Sequence, residues 1–221
     1  MPVEALIFDL DGTLVDTAPD LLHATNHALS LIERAPVTMA QLRTYVGHGA
    51  MNLIELGVKA TGKPVDKKTL LRLHAAFMEY YADNIAVSSV MFDGLKELLQ
   101  KSTSRGLKLG VCTNKVERLS LKLLSELGIS DLFGSVVGGD TLPVMKPDPA
   151  PLNEAVRRLG VDPSRSLMFG DSVTDIRTAQ NAGIPVIAVT FGYTDKHVST
   201  FGPTHTIDHY DEAWPIVERY L

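Results

Sequence analysis

A short apolar run near the start of the chain ends in two acidic residues, Asp9 and Asp11, with a glycine and a threonine behind them. Such a run is typical of a buried strand, and because an extended chain repeats every two residues, both carboxylates would point to one side. Open α/β sheets bind ligands at this end of their strands. Mg²⁺ would explain two converging acids, because it takes oxygen ligands. An ordinary Asp-Gly hairpin turn is the alternative, and this segment alone leaves both open.

Polar residues also follow a second apolar run, which ends at Cys112. Thr113 and Asn114 can donate hydrogen bonds to phosphate oxygens without adding charge, although both residue types are also common in turns. Farther along, Lys146 precedes a predicted helix beside two prolines. The prolines restrict the backbone and the helix N-terminus adds partial positive charge, so Lys146 is either aimed at an anion or simply solvated.

A third acid, Asp171, follows another apolar run. The neighbouring Ser172 and Asp175 have the spacing of a helix capping box, which accounts for them without any chemistry. Asp171 does not fit that explanation. The sequence therefore places a third acid at the end of a predicted strand.

Five apolar runs predict the strands that would position these side chains: Ala5–Phe8, Leu107–Cys112, Ser135–Val137, Ser166–Phe169 and Pro185–Val189. Helical patterns lie between them, and this alternation predicts right-handed crossovers and a parallel sheet that is covered on both faces. We therefore expect an α/β fold with a Rossmann-like parallel sheet.

One region interrupts this alternation, because from about Val15 to Val87 the pattern is helical only. We interpret residues 15–87 as an inserted helical cap, and residues 1–14 and 88–221 as the α/β core. An irregular helical layer within a single domain is the alternative.

Composition narrows the function. The 221 residues carry a net charge of −5, which argues against a nucleic-acid binder, because such a protein would present a basic face. No apolar stretch approaches the roughly 18 residues of a membrane span. The sequence begins without the pattern of a secretory signal, and the single Cys112 excludes an internal disulfide. We expect a cytoplasmic protein without membrane or nucleic-acid partners.

Cys112 and Arg118 have the spacing of the cysteine phosphatase signature, which belongs to a different class of enzyme. That chemistry needs a loop of small residues whose backbone amides surround a phosphate. Here the loop is Thr-Asn-Lys-Val-Glu, and no histidine precedes the cysteine. We interpret Cys112 as a small buried hydrophobic residue.

Taken in order, the strand-end motifs resemble those of the haloacid dehalogenase superfamily of phosphohydrolases, and the resemblance covers essentially the whole chain. The motifs are Asp9-Leu10-Asp11-Gly12-Thr13, Thr113-Asn114, Lys146-Pro147 and Gly170-Asp171-Ser172-Val173-Thr174-Asp175. Within the superfamily the chain is most similar to phosphoglycolate phosphatases, in segments 17–21, 45–50 and 189–193. His48 departs from the pattern, which has a smaller polar residue there.

The resemblance implies that Asp9 is the nucleophile and forms an aspartyl phosphate. Asp11 would protonate the leaving alcohol and later deprotonate the attacking water. Its aspartate, where dehalogenases have none to use, points to cleavage of a phosphate ester. Mg²⁺ would be bound by Asp9, the backbone carbonyl of Asp11, and Asp171.

The same resemblance implies a set of residues that bind the phosphoryl group or the substrate: Gly12, Thr13, Thr113, Asn114, Lys146 and His48. Lys146 would neutralise the phosphate and, with Thr113, take part in catalysis. Ser172 and Asp175 would stand behind the site, with Asp175 orienting Lys146 or the metal's waters. Whether His48 contacts the substrate is left open.

The implied function is a Mg²⁺-dependent phosphatase for a small phosphomonoester, with 2-phosphoglycolate favoured, in a monomer or homodimer. One alternative is a phosphomutase of the β-phosphoglucomutase type. Another is a phosphatase for a different small phosphorylated metabolite or a nucleotide. A non-catalytic phosphate-binding module is the third, and retention of every acid argues against it.

Overall fold

A computed structural model of the chain describes residues 2–47, 49–194 and 196–221. Six strands form one parallel sheet in the order β5-β4-β1-β6-β7-β8. These strands are β1 (Ala5–Phe8), β4 (Lys108–Cys112), β5 (Phe133–Val137), β6 (Ser166–Gly170), β7 (Val186–Val189) and β8 (His205–Ile207). The chain order reverses at β1, and in open sheets this is the point where a crevice for ligands forms. The predicted α/β class with a parallel sheet is confirmed.

Nine α-helices lie within the described residues, four of them ahead of β4. These four are α1 (Ala18–Ser30), α2 (Met39–Arg43), α3 (Ala50–Thr61) and α4 (Lys67–Asp83). The other five are α5 (Leu95–Ser104), α6 (Glu117–Glu126), α7 (Ala150–Arg158), α8 (Val173–Ala182) and α9 (Ala213–Val217).

The two faces of the sheet carry two separate sets of apolar side chains. Ala5 and Ile7 of β1 face a cluster with residues of α7 and α8, whereas Leu6 and Phe8 face a cluster that includes α5, α6 and α9. This alternation follows from the two-residue period of a strand. All four residues of β1 are fully buried, so β1 is fixed from both sides and its carboxyl end is a rigid platform.

Helices α1 to α4 lie between two short strands, β2 (Val15–Asp16) and β3 (Val90–Met91), which pair antiparallel. Helix α1 packs against the other three helices. Asp20 of α1 is buried and accepts hydrogen bonds from the backbone N–H groups of Ser88 and Ser89, at 3.0 and 2.8 Å. The segments that enter and leave the helical region are therefore held to each other.

The five predicted strands are present, with ends that differ by no more than two residues. The sixth strand of the sheet, β8, was not predicted, because it has three residues at the sheet edge and only Ile207 is buried. In the described ranges, no helix has both the length and the apolar character needed to cross a membrane.

Candidate functional site

A cleft opens at the carboxyl ends of β1 and β4 and faces helices α1, α3 and α4. From the sheet side it is lined by Asp9, Asp11, Thr113, Asn114, Lys115, Val116, Leu119, Lys146, Ser172 and Asp175. From the helical side it is lined by Leu21, Val46, Gly47, Gly49, Ala50, Leu53, Phe77, Met78 and Tyr81. Polar groups are thus concentrated on one wall and apolar groups on the other.

Lys146 lies between two acids at the base of this cleft. Its Nζ is 2.8 Å from Asp9 Oδ1 and 2.6 Å from Asp175 Oδ1, and its side chain is 2% exposed. Burial opposes the charged form of Lys146, but attraction to Asp175 and Asp9 outweighs burial and raises the pKa of the ammonium. Lys146 therefore remains a cation that is aimed at the nucleophile predicted from the sequence.

The backbone around Lys146 is fixed by Asn114. The Asn114 amide donates to the Lys146 carbonyl at 3.1 Å, and its Oδ1 accepts from the Lys146 N–H at 3.0 Å. Asp175 is held in turn by Ser172, whose N–H and hydroxyl donate to Asp175 Oδ2 in the predicted capping box of α8. The ammonium has a single position because groups on three segments hold it.

Asp171 lies at the end of β6, and its two carboxylate oxygens are each held by a donor. The Thr13 hydroxyl donates to Oδ1 at 3.1 Å, and the Tyr193 N–H donates to Oδ2 at 2.7 Å. Gly12 and Gly192 pack against this side chain so closely that a Cβ at either position would collide with it. Two glycines are therefore needed for Asp171 to reach the site.

Asp9, Asp171 and Asp175 form a buried acidic cluster in which each contributes an oxygen, and these oxygens lie within 4.8 Å of one another. Burial, followed by repulsion from Asp175, raises the pKa of Asp9 to about 7. Burial, followed by repulsion from Asp175 and Asp9, raises the pKa of Asp171 well above its usual value. One lysine does not balance three acids, so the cluster fits a hard divalent cation with oxygen ligands.

Asp11 has different partners from Asp9. Its Oδ1 accepts hydrogen bonds from Lys115 Nζ and the Thr17 hydroxyl, both at 2.7 Å. Lys115 Nζ also donates to the hydroxyl of Tyr81 in α4 at 2.8 Å. Asp11 is thus oriented from the sheet side and from the helical side of the cleft.

The structure brings most of the predicted site residues together and separates a few from the rest. Thr113 lines the cleft, and its Oγ1 accepts from the Lys115 N–H at 3.2 Å. Gly12 and Thr13, predicted to bind phosphate, lie beside Asp171 and outside the cleft lining. His48 lies outside the described residues, although the adjacent Gly47 and Gly49 line the cleft.

Three residues of the site were given no role from the sequence. Lys115 follows directly after Thr113 and Asn114, and that position was the available signal. Tyr81 belongs to the buried stripe of α4, which gives no sign of a polar partner. Tyr193 comes after β7, and nothing in its neighbourhood along the chain indicates that its N–H reaches Asp171.

Comparison with known proteins agrees with this geometry. The family model of haloacid dehalogenase-like hydrolases matches residues 6–189. The chain belongs to this family. It is 46% identical to a phosphoglycolate phosphatase of Mesorhizobium japonicum over 206 residues, which cover 93% of this chain and 91% of the relative.

Two solved structures are also similar. One, from Haemophilus somnus, is described as a predicted phosphoglycolate phosphatase; it has 30% identity and a TM-score of 0.92, with 97% of each chain covered. A β-phosphoglucomutase from Clostridium difficile has a TM-score of 0.81 at 19% identity, covers 99% of this chain and 96% of its own, and shows the shared fold alone. The predicted class of enzyme, a phosphoric monoester hydrolase resembling phosphoglycolate phosphatases, is confirmed.

Proposed function

We propose that this protein is a Mg²⁺-dependent phosphatase that hydrolyses 2-phosphoglycolate, or a similarly small anionic phosphomonoester, through an aspartyl phosphate on Asp9. One observation carries the proposal. Asp9 lines the cleft with its carboxylate 2.8 Å from a buried lysine and beside two further acids. A nucleophile, a cation for the phosphoryl group and a site for a divalent metal therefore meet at one point.

In the first step, an Asp9 oxygen attacks phosphorus and the bond from phosphorus to the ester oxygen breaks. The carboxylate and the phosphate repel each other, and Lys146 reduces that repulsion because its ammonium is already next to Asp9. Thr113 and Asn114 supply neutral donors at the end of β4. The phosphoryl group is thereby transferred from the alcohol to Asp9.

Asp11 handles the proton in both steps. It protonates the leaving alkoxide in the first step, and it removes a proton from the water that attacks the aspartyl phosphate in the second. The contacts from Thr17 and Lys115 keep its carboxyl group directed into the cleft in both. Hydrolysis then releases inorganic phosphate and restores Asp9.

Asp9, Asp171 and the backbone carbonyl of Asp11 would hold Mg²⁺, with Asp175 behind them. When bound, Mg²⁺ supplies positive charge that stabilises the transferring phosphoryl group. The hydrogen bonds from Thr13 and Tyr193 fix Asp171 for this task. The charge excess of the acidic cluster, described above, supports this assignment.

We further propose that residues 15–87 act as a cap domain over a core formed by residues 1–14 and 88–221. The cap side of the cleft supplies mostly apolar groups. A cap that covers the strand ends excludes water, and polar contacts to the phosphate become stronger in its absence. We infer a compact substrate for the same reason, because a large leaving group would hold the cap open.

A phosphomutase is the second candidate, because a β-phosphoglucomutase shares the fold. Phosphoryl transfer between two sugar hydroxyls needs an acid–base group that activates the acceptor hydroxyl. Of the cap residues that the structure describes in the cleft lining, none is an acid or a histidine. This favours water as the acceptor, and hence hydrolysis.

We propose the cytoplasm as the setting and a small phosphorylated metabolite as the partner, in a monomer or homodimer. The net charge of −5 supports a site in which a few local cations bind the anion, with no extended basic surface for nucleic acid.

A screen of phosphorylated metabolites with the full-length protein tests the proposal. We expect 2-phosphoglycolate to give the highest kcat/KM, and excess EDTA to abolish turnover until Mg²⁺ is restored. Trapping with the phosphate analogue BeF₃⁻ should require Mg²⁺ and Asp9. A preference for mononucleotides would refute the substrate, and full activity in EDTA would refute the metal-dependent mechanism.

A further inference from the structure

Two cationic side chains line the described part of the cleft, Lys146 and Lys115. Lys146 is committed to Asp9 and Asp175, where the phosphoryl group would be bound. Lys115 lies on the side of Asp11, where the leaving group of the ester would be bound. Its side chain is 6% exposed, so the charge is carried into the cleft and is not a solvated surface lysine.

The ammonium of Lys115 has three N–H bonds. One is directed to Asp11 Oδ1 at 2.7 Å and another to the Tyr81 hydroxyl at 2.8 Å. The Nζ also lies 4.5 Å from the centroid of the Tyr81 ring, on its face. Among the described residues no third acceptor lies within hydrogen-bond distance, so one N–H remains for a ligand.

The surroundings of Lys115 favour a ligand that brings its own negative charge. Around it the cap contributes Leu53, Phe77 and Met78 to the cleft lining. A carboxylate that entered this apolar part without a cation would lose its hydration and gain nothing. Next to Lys115 the same carboxylate would form a charge-assisted hydrogen bond in a site with little water.

We propose that Lys115 is a specificity-determining residue that binds the carboxylate of the substrate's leaving group. This inference rests on the proposed function, in which Asp11 protonates the ester oxygen. In a phosphorylated 2-hydroxy acid only one carbon separates that oxygen from the carboxylate carbon. A lysine hydrogen-bonded to Asp11 is therefore within reach of the carboxylate whenever the ester oxygen is next to Asp11.

The consequence is selectivity between phosphates of the same size. A carboxylate-bearing ester gains the contact with Lys115, whereas an uncharged ester of equal length gains only the apolar contacts. 2-Phosphoglycolate and 2-hydroxyethyl phosphate form such a pair, because they differ only in a carboxylate against a hydroxymethyl group. A charge-assisted hydrogen bond in a buried site corresponds to a preference of about 10- to 100-fold.

The test compares these two esters in the full-length protein with Mg²⁺. We expect Lys115→Gln to lower kcat/KM for 2-phosphoglycolate by about 10- to 100-fold, mainly through KM, and for 2-hydroxyethyl phosphate by less than about threefold. Glutamine removes the charge and retains a donor for Asp11, and Lys115→Met serves as a second variant of similar length. A matched loss on both esters would mean that Lys115 only positions Asp11, and would overturn the proposal.

Lys122 offers the control. It is a lysine of α6 that also contacts the end of α4, where its Nζ donates to the Ala82 carbonyl, but it does not line the cleft. Lys122→Gln changes the net charge and removes a bond to α4 as Lys115→Gln does. We expect its selectivity between the two esters to equal that of the wild type, and an equal loss of selectivity there would also refute the proposal.

A binding measurement makes the test independent of turnover and of the folding of Lys115 variants. In Asp9→Asn, calorimetry with Mg²⁺ should give a Kd at least about tenfold lower for 2-phosphoglycolate than for 2-hydroxyethyl phosphate. Equal Kd values would overturn the role of Lys115. If the wild type hydrolyses neither ester but hydrolyses others, the proposed substrate fails; if it hydrolyses both equally, the phosphatase stands and the carboxylate contact fails.

Discussion

The two walls of the cleft are built on opposite principles. On the sheet side, buried acids and Lys146 are tied to one another and to the backbone by short hydrogen bonds and ion pairs. On the cap side, the lining is mainly leucine, methionine, phenylalanine and small residues, and contacts to the sheet side are few. One wall is a fixed arrangement of charge, and the other is an adaptable apolar surface.

This contrast separates two tasks. Charge that develops in a transition state is best stabilised by groups that are already in place, so the sheet wall has little freedom. Apolar packing discriminates by size and changes readily when a side chain changes. We therefore expect substitutions on the sheet wall to reduce turnover of every substrate, and substitutions on the cap wall to change the ranking of substrates.

The largest effect should come from Asp9→Asn. Asparagine retains the shape but is not a nucleophile, so we expect kcat to fall by about 10⁴-fold or more on every ester. Differential scanning fluorimetry should show an unfolding temperature equal to or higher than that of the wild type, because one of three repelling carboxylates is gone. Turnover close to that of the wild type would exclude Asp9 as the nucleophile.

Gly192→Ala should affect the metal before anything else. The new Cβ would collide with Asp171 and displace its carboxylate, so we expect the Mg²⁺ concentration for half-maximal activity to rise about tenfold or more. Gly106→Ala is the control. Gly106 has a φ of 78° but open space around it, so alanine costs stability there without touching Asp171. An equal Mg²⁺ requirement in both variants would contradict the proposed role of Asp171.

Met78→Ala tests the cap wall and should have a smaller effect. Removing the thioether enlarges the apolar side of the cleft, and a contact of this kind is worth about 1–3 kcal/mol to a ligand that fills it. We expect kcat/KM for 2-phosphoglycolate to fall a few fold while that for a larger ester, such as 3-phosphoglycerate, falls less or rises. Equal changes for both esters would mean that this wall does not select by size.

The smallest effect on activity should come from Cys112→Ser. Burial raises the pKa of the Cys112 thiol to about 12, so the thiol remains protonated and is a poor nucleophile. We expect kcat within about twofold of the wild type and an unfolding temperature lower by a few degrees, because the serine hydroxyl is buried without water. Loss of turnover together with resistance to EDTA would instead indicate cysteine chemistry.

Much of the sheet wall could be predicted from the sequence because its residues are local to the strands. Asp9 and Asp171 follow apolar runs directly, and the two-residue period of a strand places both acids at the sheet's carboxyl edge. Thr113 follows β4 in the same way. The geometry of parallel strands thus converts three distant segments into neighbours without knowledge of any loop.

The remaining contacts could not be predicted because they depend on how separate units meet. The bond between Lys115 and Tyr81 depends on where α4 lies over the sheet, and the apolar stripe of α4 does not contain that information. The hold of Tyr193 on Asp171 depends on the path of the loop after β7. Strand β8 escaped notice because an edge strand of three residues has too little burial to produce a pattern.

Tyr193 has a consequence for protein engineering. Its N–H holds Asp171, while its hydroxyl donates to Asp16 at 2.6 Å and accepts from the Ala18 N–H at 3.0 Å. The helical region and the sheet are therefore not interchangeable modules. A chimaera that grafts a foreign helical segment between residues 15 and 87 must reproduce these two partners, since the phenol is 5% exposed and would otherwise be left without them. The junction of such a graft belongs after Ala18, inside α1, and not at the end of β1.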